Sequence, residues 1–231
     1  MLLPFFIFGG FMDVRLVTCT PEPEITIALA ARTCYSKNPP QTITLDKARK
    51  LIRELIRRGH ESILEHALFT FRIEGISRVA SHQLVRHRLA SYAQQSQRYV
   101  SLQEADFICP PAIGANPQAE ILFRETVQRC REAYEKLLTL GILREDARYI
   151  IPQGTTTNLV FTANARELLH IFRLRLCNRA QWEIRELCLK MLKILQEKAP
   201  VIFESAGPPC VDGVCPEGEK SCGQPWTGNG K

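Results

Sequence analysis

Apolar residues recur along this chain with two periods, and the switches between them divide it into elements. From Val14 to Thr18 they fall at alternate positions, which predicts a short strand ending at the turn-forming TPEPE. Residues 25–34 read as a helix. In TLDKARKLIRELIRRGH, Leu45, Ala48, Leu51, Ile52, Leu55 and Ile56 return at helical spacing, and Gly59 stands where a left-handed residue would end that helix. HALFTFRIEG changes the period to two, with Ala67, Phe69, Phe71 and Ile73 on one face and Thr70, Arg72 and Glu74 on the other, as in a half-buried strand. ISRVASHQLVRHR resumes helical spacing, whereas ASYAQQSQRYVSL has little apolar periodicity and reads as the start of a loop.

Capping residues mark the remaining helices. Asn116 and Pro117 open one that runs toward Gly141, and Arg144 to Ile150 forms a shorter one before Pro152. Asn164 with Glu167 has the form of a capping box opening NARELLHIFRLRL, and a further helix extends from about Ala180 to Lys198 through Trp182, Leu187, Met191 and Leu195. Long helices with few strands indicate an α+β protein without internal repeats. Beyond Pro200 the composition turns to Gly, Pro and Cys. The expected organisation is an N-terminal extension over residues 1–11, one domain over 12–209 and a tail over 210–231.

With 231 residues and 45% hydrophobic composition, the chain can bury a substantial core, and its net charge of +6 favours anionic partners, phosphorylated metabolites as much as nucleic acid. Nine cysteines would suit a disulfide scaffold in a short secreted chain, but six of them are dispersed singly through a long one, so they read as reduced thiols of a cytoplasmic protein. The opening MLLPFFIFGGFM is too short to span a bilayer and lacks the basic start and cleavage site of a signal peptide. No membrane partner is expected.

The chemistry concentrates in RHRLASYAQQSQRYV, Arg86 to Val100. Arg86, His87, Arg88 and Arg98 offer charge-assisted donors for phosphate, and Gln94, Gln95, Ser96 and Gln97 carry both donors and acceptors, which suits reading the edge of a base or a sugar. Neither G-x-G-x-x-G nor a P-loop occurs, which disfavours a Rossmann site. Ser96 has no His or acidic residue placed in the local sequence to activate it as a nucleophile. Tyr92 and Tyr99, interleaved with Arg and Gln, also fit a nucleic-acid-binding surface. In the tail, Cys210, Cys215 and Cys222 could ligate zinc but are three thiols without a fourth ligand at a spacing that is not a standard finger, so free thiols or a labile disulfide are expected there ahead of a metal.

The whole pattern, RHR followed after seven residues by Ser96 and Arg98, resembles the signature of the flavin-dependent thymidylate synthases. RRGHESILEHALFTF, Arg148 in EDARYIIP, and NARELLHIFRLRLCNRAQWEIRE resemble further segments of that family, so the likeness runs from about Asp13 to Pro209. It implies a central antiparallel sheet flanked by long helices, assembled as a homotetramer with sites at subunit interfaces. It implies methylation of deoxyuridylate (dUMP), with carbon from 5,10-methylenetetrahydrofolate and reducing equivalents from NADPH through bound FAD. Nucleic acid is then not a partner.

By position, the resemblance assigns FAD to Ser62, Arg86, His87, Arg88, Asn164, Ala165, Arg166 and His170, with Gln94 near both flavin and nucleotide. It assigns the nucleotide to Gln83, Leu84, Val85 and Arg86, to Gln94, Gln95, Ser96, Gln97 and Arg98, and to Arg148 and Arg175. Arg175 matches the arginine that stabilises charge on the activated uracil, His60 a histidine that orients folate or moves protons, and Ser96 orients substrate. Ala93, Gln94 and Arg179 stand where the family more often has asparagine, glutamate and histidine. A flavoprotein of the same ancestry that oxidises NADPH without methylating is the other reading.

Overall fold

The computed structural model describes residues 6–8, 12–103 and 105–226. In chain order the strands are β1 (Phe6–Phe8), β2 (Asp13–Cys19), β3 (Leu68–Ser77), β4 (Ala90–Gln94), β5 (Phe107–Cys109) and β6 (Thr156–Asn164). The helices are α1 (Pro23–Tyr35), α2 (Leu45–Arg57), α3 (Arg78–Leu84), α4 (Pro111–Gly114), α5 (Pro117–Thr139), α6 (Arg144–Ala147), α7 (Ala165–Arg175), α8 (Trp182–Lys198) and α9 (Pro200–Phe203). Strands β2, β3, β6 and β4 form, in that order, an antiparallel sheet, and β1 pairs in parallel with β5. The chain is therefore α+β. It forms two compact units: residues 1–13, 73–85 and 93–159 compose the first, and 14–72, 86–92 and 160–231 the second.

In the second unit the helix expected from the LDKARKLIRELI pattern is α2, with Ala48, Ile52 and Leu55 buried. It ends at Gly59, whose φ of 75° only glycine adopts without strain, and the His60 N–H closes back on the Leu55 carbonyl at 2.9 Å. Phe69 and Phe71 of β3 are fully buried while Leu68 faces out, as the alternation predicts. Phe203 of α9 packs edge-on against Phe69 and Phe172, at centroid distances of 5.6 and 6.2 Å. Glu24 is buried in α1, where its carboxylate accepts from Arg49 at 2.7 Å and from the Val201 N–H at 2.9 Å. Those two partners offset the desolvation cost of the charge and fasten α1 to α2 and α9.

In the first unit the inward phase of β3 slips by one residue. Ile73 and Ile76 are both fully buried, and between them Gly75 takes φ 70° and gives its N–H to Asn158 Oδ1 at 3.0 Å. Helix α5 starts at Asn116, whose side chain accepts from the N–H groups of Gln118 and Ala119. Its Tyr134 packs with Leu102 and Ala147 in a buried cluster.

Two segments differ from the sequence reading. Residues 90–94, read as the start of a loop, form strand β4, and Thr156–Asn164, for which no strand was expected, forms β6. The inward positions of β6 are Thr157, Leu159, Phe161 and Ala163, so a buried hydroxyl and a methyl dilute its apolar signal. Part of the expected extension over residues 1–11 is β1, and the rest lies outside the described residues. No described helix is long and apolar enough to cross a membrane.

Candidate active site

The residues singled out by sequence divide between the two units. In the second unit His60 and Ser62 are exposed beyond α2, and Ser62 begins the 3-10 turn Ser62–His66. Past α3 the RHR segment alternates: Arg86 and Arg88 are exposed and, among the described residues, hold no carboxylate, while His87 between them is only 5% exposed. His87 is thus placed beneath the surface that its two neighbours present.

Arg175, in the last turn of α7, donates from Nε to Nε2 of His87 at 3.1 Å. Because a guanidinium can only donate, Nε2 must be the acceptor, and a neutral ring then carries its proton on Nδ1. Nδ1 faces the buried Glu167 carboxylate at 3.8 Å. Burial, together with the Arg175 and His170 charges, pushes the His87 pKa down to about 4, so the imidazole is neutral at neutral pH. The Tyr92 hydroxyl donates to the His87 carbonyl at 2.8 Å, and burial with the nearby Glu167 charge pushes that phenol up.

Asn164 caps α7 as the sequence predicts, accepting from the Glu167 N–H at 2.8 Å. The Glu167 carboxylate does not complete a capping box. It accepts a hydrogen bond from the Leu89 backbone instead, and burial raises its pKa. Ala165 is buried, with its N–H bonded to the Ala67 carbonyl at 2.8 Å. Arg166 is exposed and reaches Glu65 at 2.6 Å and Glu61 at 3.9 Å.

Asn164, Arg166 and His170 line a cleft of about 1190 Å³, with Arg53, Arg57 and Arg173 adding positive charge. A flavin nucleotide brings a pyrophosphate and a large ring system, and this volume and donor set fit such a group. Glu65 holds Arg166, and Glu204 grips Arg53 through two oxygens at 2.9 and 3.1 Å, so bound phosphates would compete with those carboxylates.

In the first unit Leu84 is buried, Gln83 is half-buried and Val85 caps α3. Gln94 donates to Ser81 Oγ at 2.9 Å and Thr157 Oγ1 at 3.3 Å, so its amide is fixed at the end of β4. Ser96 folds a turn: its carbonyl accepts from Tyr99 and Val100, and its hydroxyl from the Arg98 N–H at 3.2 Å. Gln95, Ser96 and Gln97 line a small cavity of about 230 Å³ with Thr156, Thr157 and Asn158. The Arg98 guanidinium pairs with Glu145, at 2.8 Å from Nε and 2.7 Å from Nη2, and Arg148 donates to the Glu145 carbonyl at 3.1 Å.

Three side chains of these constellations escaped sequence reading. Glu167 carried a signal only as a capping-box residue, and Glu145 only as an acid in a short helix. Arg78 donates toward the Gln95 carbonyl at 3.5 Å, and burial and the charge of Arg148 lower its pKa. No spacing along the chain reveals that pair of like charges.

Parts of the tail between residues 208 and 226, together with the segment Arg173–Ala180, line a cavity of about 570 Å³. Arg179, which departs from the commoner histidine, is committed to this tail through the Lys220 carbonyl at 2.9 Å and Glu217 at 3.6 Å. Cys177, Cys210, Cys215 and Cys222 all border the cavity, but no group of three or more metal-ligating side chains occurs among the described residues.

Comparison with known proteins converges with this geometry. Residues 15–201 match the family model described as thymidylate synthase complementing protein. The chain is 46% identical to a flavin-dependent thymidylate synthase of Geobacter sulfurreducens and 43% identical to one of Clostridium tetani, in each case over 92% of this chain and 94% of the relative. A crystal structure of a UMP/dUMP methylase, PolB, from Streptomyces cacaoi bound with 5-Br dUMP superposes with a TM-score of 0.77 at 26% identity, covering 85% of this chain and 95% of the other. Its motifs, its fold and these relatives agree: the chain belongs to the family of flavin-dependent thymidylate synthases.

Proposed function

We propose that the protein methylates dUMP to dTMP with bound FAD, taking the carbon from 5,10-methylenetetrahydrofolate and reducing equivalents from NADPH. When bound, the flavin supplies the hydride chemistry that the side chains of this protein cannot. The observation that carries the reading is the Arg175 guanidinium, half-buried on α7 and oriented by His87. A permanently charged, oriented guanidinium stabilises negative charge developing on the uracil carbonyls and N3, and it is a poor general base.

The remaining roles follow from the side chains. Arg98 and Arg148 take the nucleotide phosphate, with Gln95, Ser96 and Gln97 providing the turn around it and Gln83 to Arg86 contributing from the end of α3. Arg86, Arg88, Arg166, Asn164, Ser62 and His170 hold FAD, His87 supports them from beneath, and His60 orients the folate. The Gln94 amide is engaged by Ser81 and Thr157, and its carbonyl, the group it shares with glutamate, is what it offers beside either ligand, which makes its departure from glutamate tolerable. We assign the active form to a cytoplasmic homotetramer. Ile121, Leu122, Leu140, Leu143 and Tyr149 are each more than half exposed in the single chain, and an oligomer interface would cover such residues.

The test is to purify the protein, record its absorbance spectrum, and incubate it anaerobically with dUMP, 5,10-methylenetetrahydrofolate and NADPH. Flavin absorption together with thymidylate in the product supports the reading. Flavin reoxidation without thymidylate, or a colourless protein that binds oligonucleotides with steep salt dependence, overturns it.

A further inference from the structure

We propose that Glu167 is a positioning residue for Arg175, acting through His87: its buried carboxylate fixes the imidazole as a neutral acceptor, and the imidazole fixes the guanidinium. The proposal rests on the role given above to Arg175 and adds what holds that group in place. Glu167 and Arg175 both lie on α7, eight residues or about 12 Å apart along the axis. His87, from another stretch of chain, bridges them, with Nε2 taking the Arg175 Nε–H at 3.1 Å and Nδ1 facing Glu167 at 3.8 Å.

Burial makes this arrangement consequential. Glu167 is 6% exposed and His87 5%, so neither has bulk water as a substitute partner. The carboxylate is anchored by the Leu89 backbone N–H, two residues beyond His87, so one side chain fixes both the backbone and the ring of the RHR segment. At 3.8 Å the carboxylate is beyond a hydrogen bond, yet in a buried setting its charge favours the Nδ1–H tautomer. The other tautomer would set an Nε2–H against the Arg175 Nε–H, two donors with no acceptor, and the guanidinium would turn away. Among the described residues, Arg175, His170 and Glu167 are the charged or titratable side chains acting on this ring, and the Tyr92 hydroxyl holds its backbone carbonyl.

Histidine-selective nitrogen-15 NMR at neutral pH reads the tautomer without any turnover. We expect His87 protonated on Nδ1 in the unsubstituted protein and a shifted tautomer balance in Glu167→Gln. A double-mutant cycle then measures dUMP affinity in Glu167→Gln, Arg175→Ala and the pair. Glu167→Gln alone should weaken dUMP about tenfold, Glu167→Asp should recover part of the loss, and with Arg175 already removed Glu167→Gln should add nothing. Additive losses, or an Nε2-protonated or doubly protonated His87 in the unsubstituted protein, would overturn the proposal. Should Glu167→Gln fold poorly, the spectrum of the unsubstituted protein decides alone. If that protein binds no dUMP, the methylation reading fails while the tautomer still tests the positioning.

Discussion

Arg175 directs its Nε–H at the lone pair of His87 Nε2, 3.1 Å away, so a permanently charged group takes its orientation from an uncharged one. The role proposed for this guanidinium concerns the uracil of the nucleotide, not the flavin. Removing the guanidinium should therefore affect the nucleotide and spare the flavin. We expect Arg175→Ala to purify with its flavin while losing nucleotide affinity and roughly two to three orders of magnitude of turnover. Titration with dUMP and product chromatography check this, and unchanged methylation would reject the assigned role.

Acid should loosen the fold through His87. Its pKa is about 4 in the folded protein against 6.5 for a free imidazole, so between these values the unfolded chain binds more protons than the folded one. Stability therefore falls as the pH drops from 6.5 toward about 4, by at most about 3 kcal/mol from this residue. Thermal unfolding of the parent and of His87→Gln across that window tests the assignment. The substitution should flatten the acid slope, and identical slopes would place the cause elsewhere.

Glu145 competes with any anion for Arg98. The pair is exposed, and such pairs contribute about 0.2–1 kcal/mol. Neutralising the carboxylate in Glu145→Gln should accordingly tighten binding of dUMP, with a gain of up to about fivefold. Calorimetric titration of both proteins is the measurement, and weaker binding by the variant would count against Arg98 as a phosphate ligand.

The exposed arginines of the RHR segment should matter for cofactor retention. Arg88→Ala is expected to purify with little or no flavin, read as the ratio of flavin to protein absorbance. Full occupancy would contradict that placement.

Gly59 ends α2 at φ 75°, with open space where a side chain would stand. An alanine there meets no neighbour, so its cost is backbone strain, about 1 kcal/mol. Gly59→Ala should lower Tm by about 2–4 °C. A larger drop would point to displacement of His60 and Ser62 as well.

Elements whose signal lies within one stretch of chain were legible in the sequence. The stripe of α2, the alternation of Phe69 and Phe71, and the caps at Asn116 and Asn164 all arise from residues within a few positions of one another, and each is where the pattern puts it. Strand β4 was not legible, because Ala90 to Gln94 lacks an inward aliphatic face and takes its conformation from the strand beside it. The same division applies to the site. The RHR pattern and Arg175 announce themselves, but Glu167 sits two turns from Arg175 on one helix and meets it only through a histidine some eighty positions earlier. Glu145 likewise faces Arg98 across 47 residues of sequence, a relation that no local window contains.

The contacts of Asn178 with Gln224 and of Arg179 with Lys220 tether the C-terminal segment to the turn that follows Arg175. A load applied to the tail would therefore reach that turn through these two contacts. Trp226 also lends the tether an optical use. Its indole nitrogen lies so close to Gly207 that a Cβ added there would meet it at 3.0 Å, so its emission reports on the packing of the tail against Gly207.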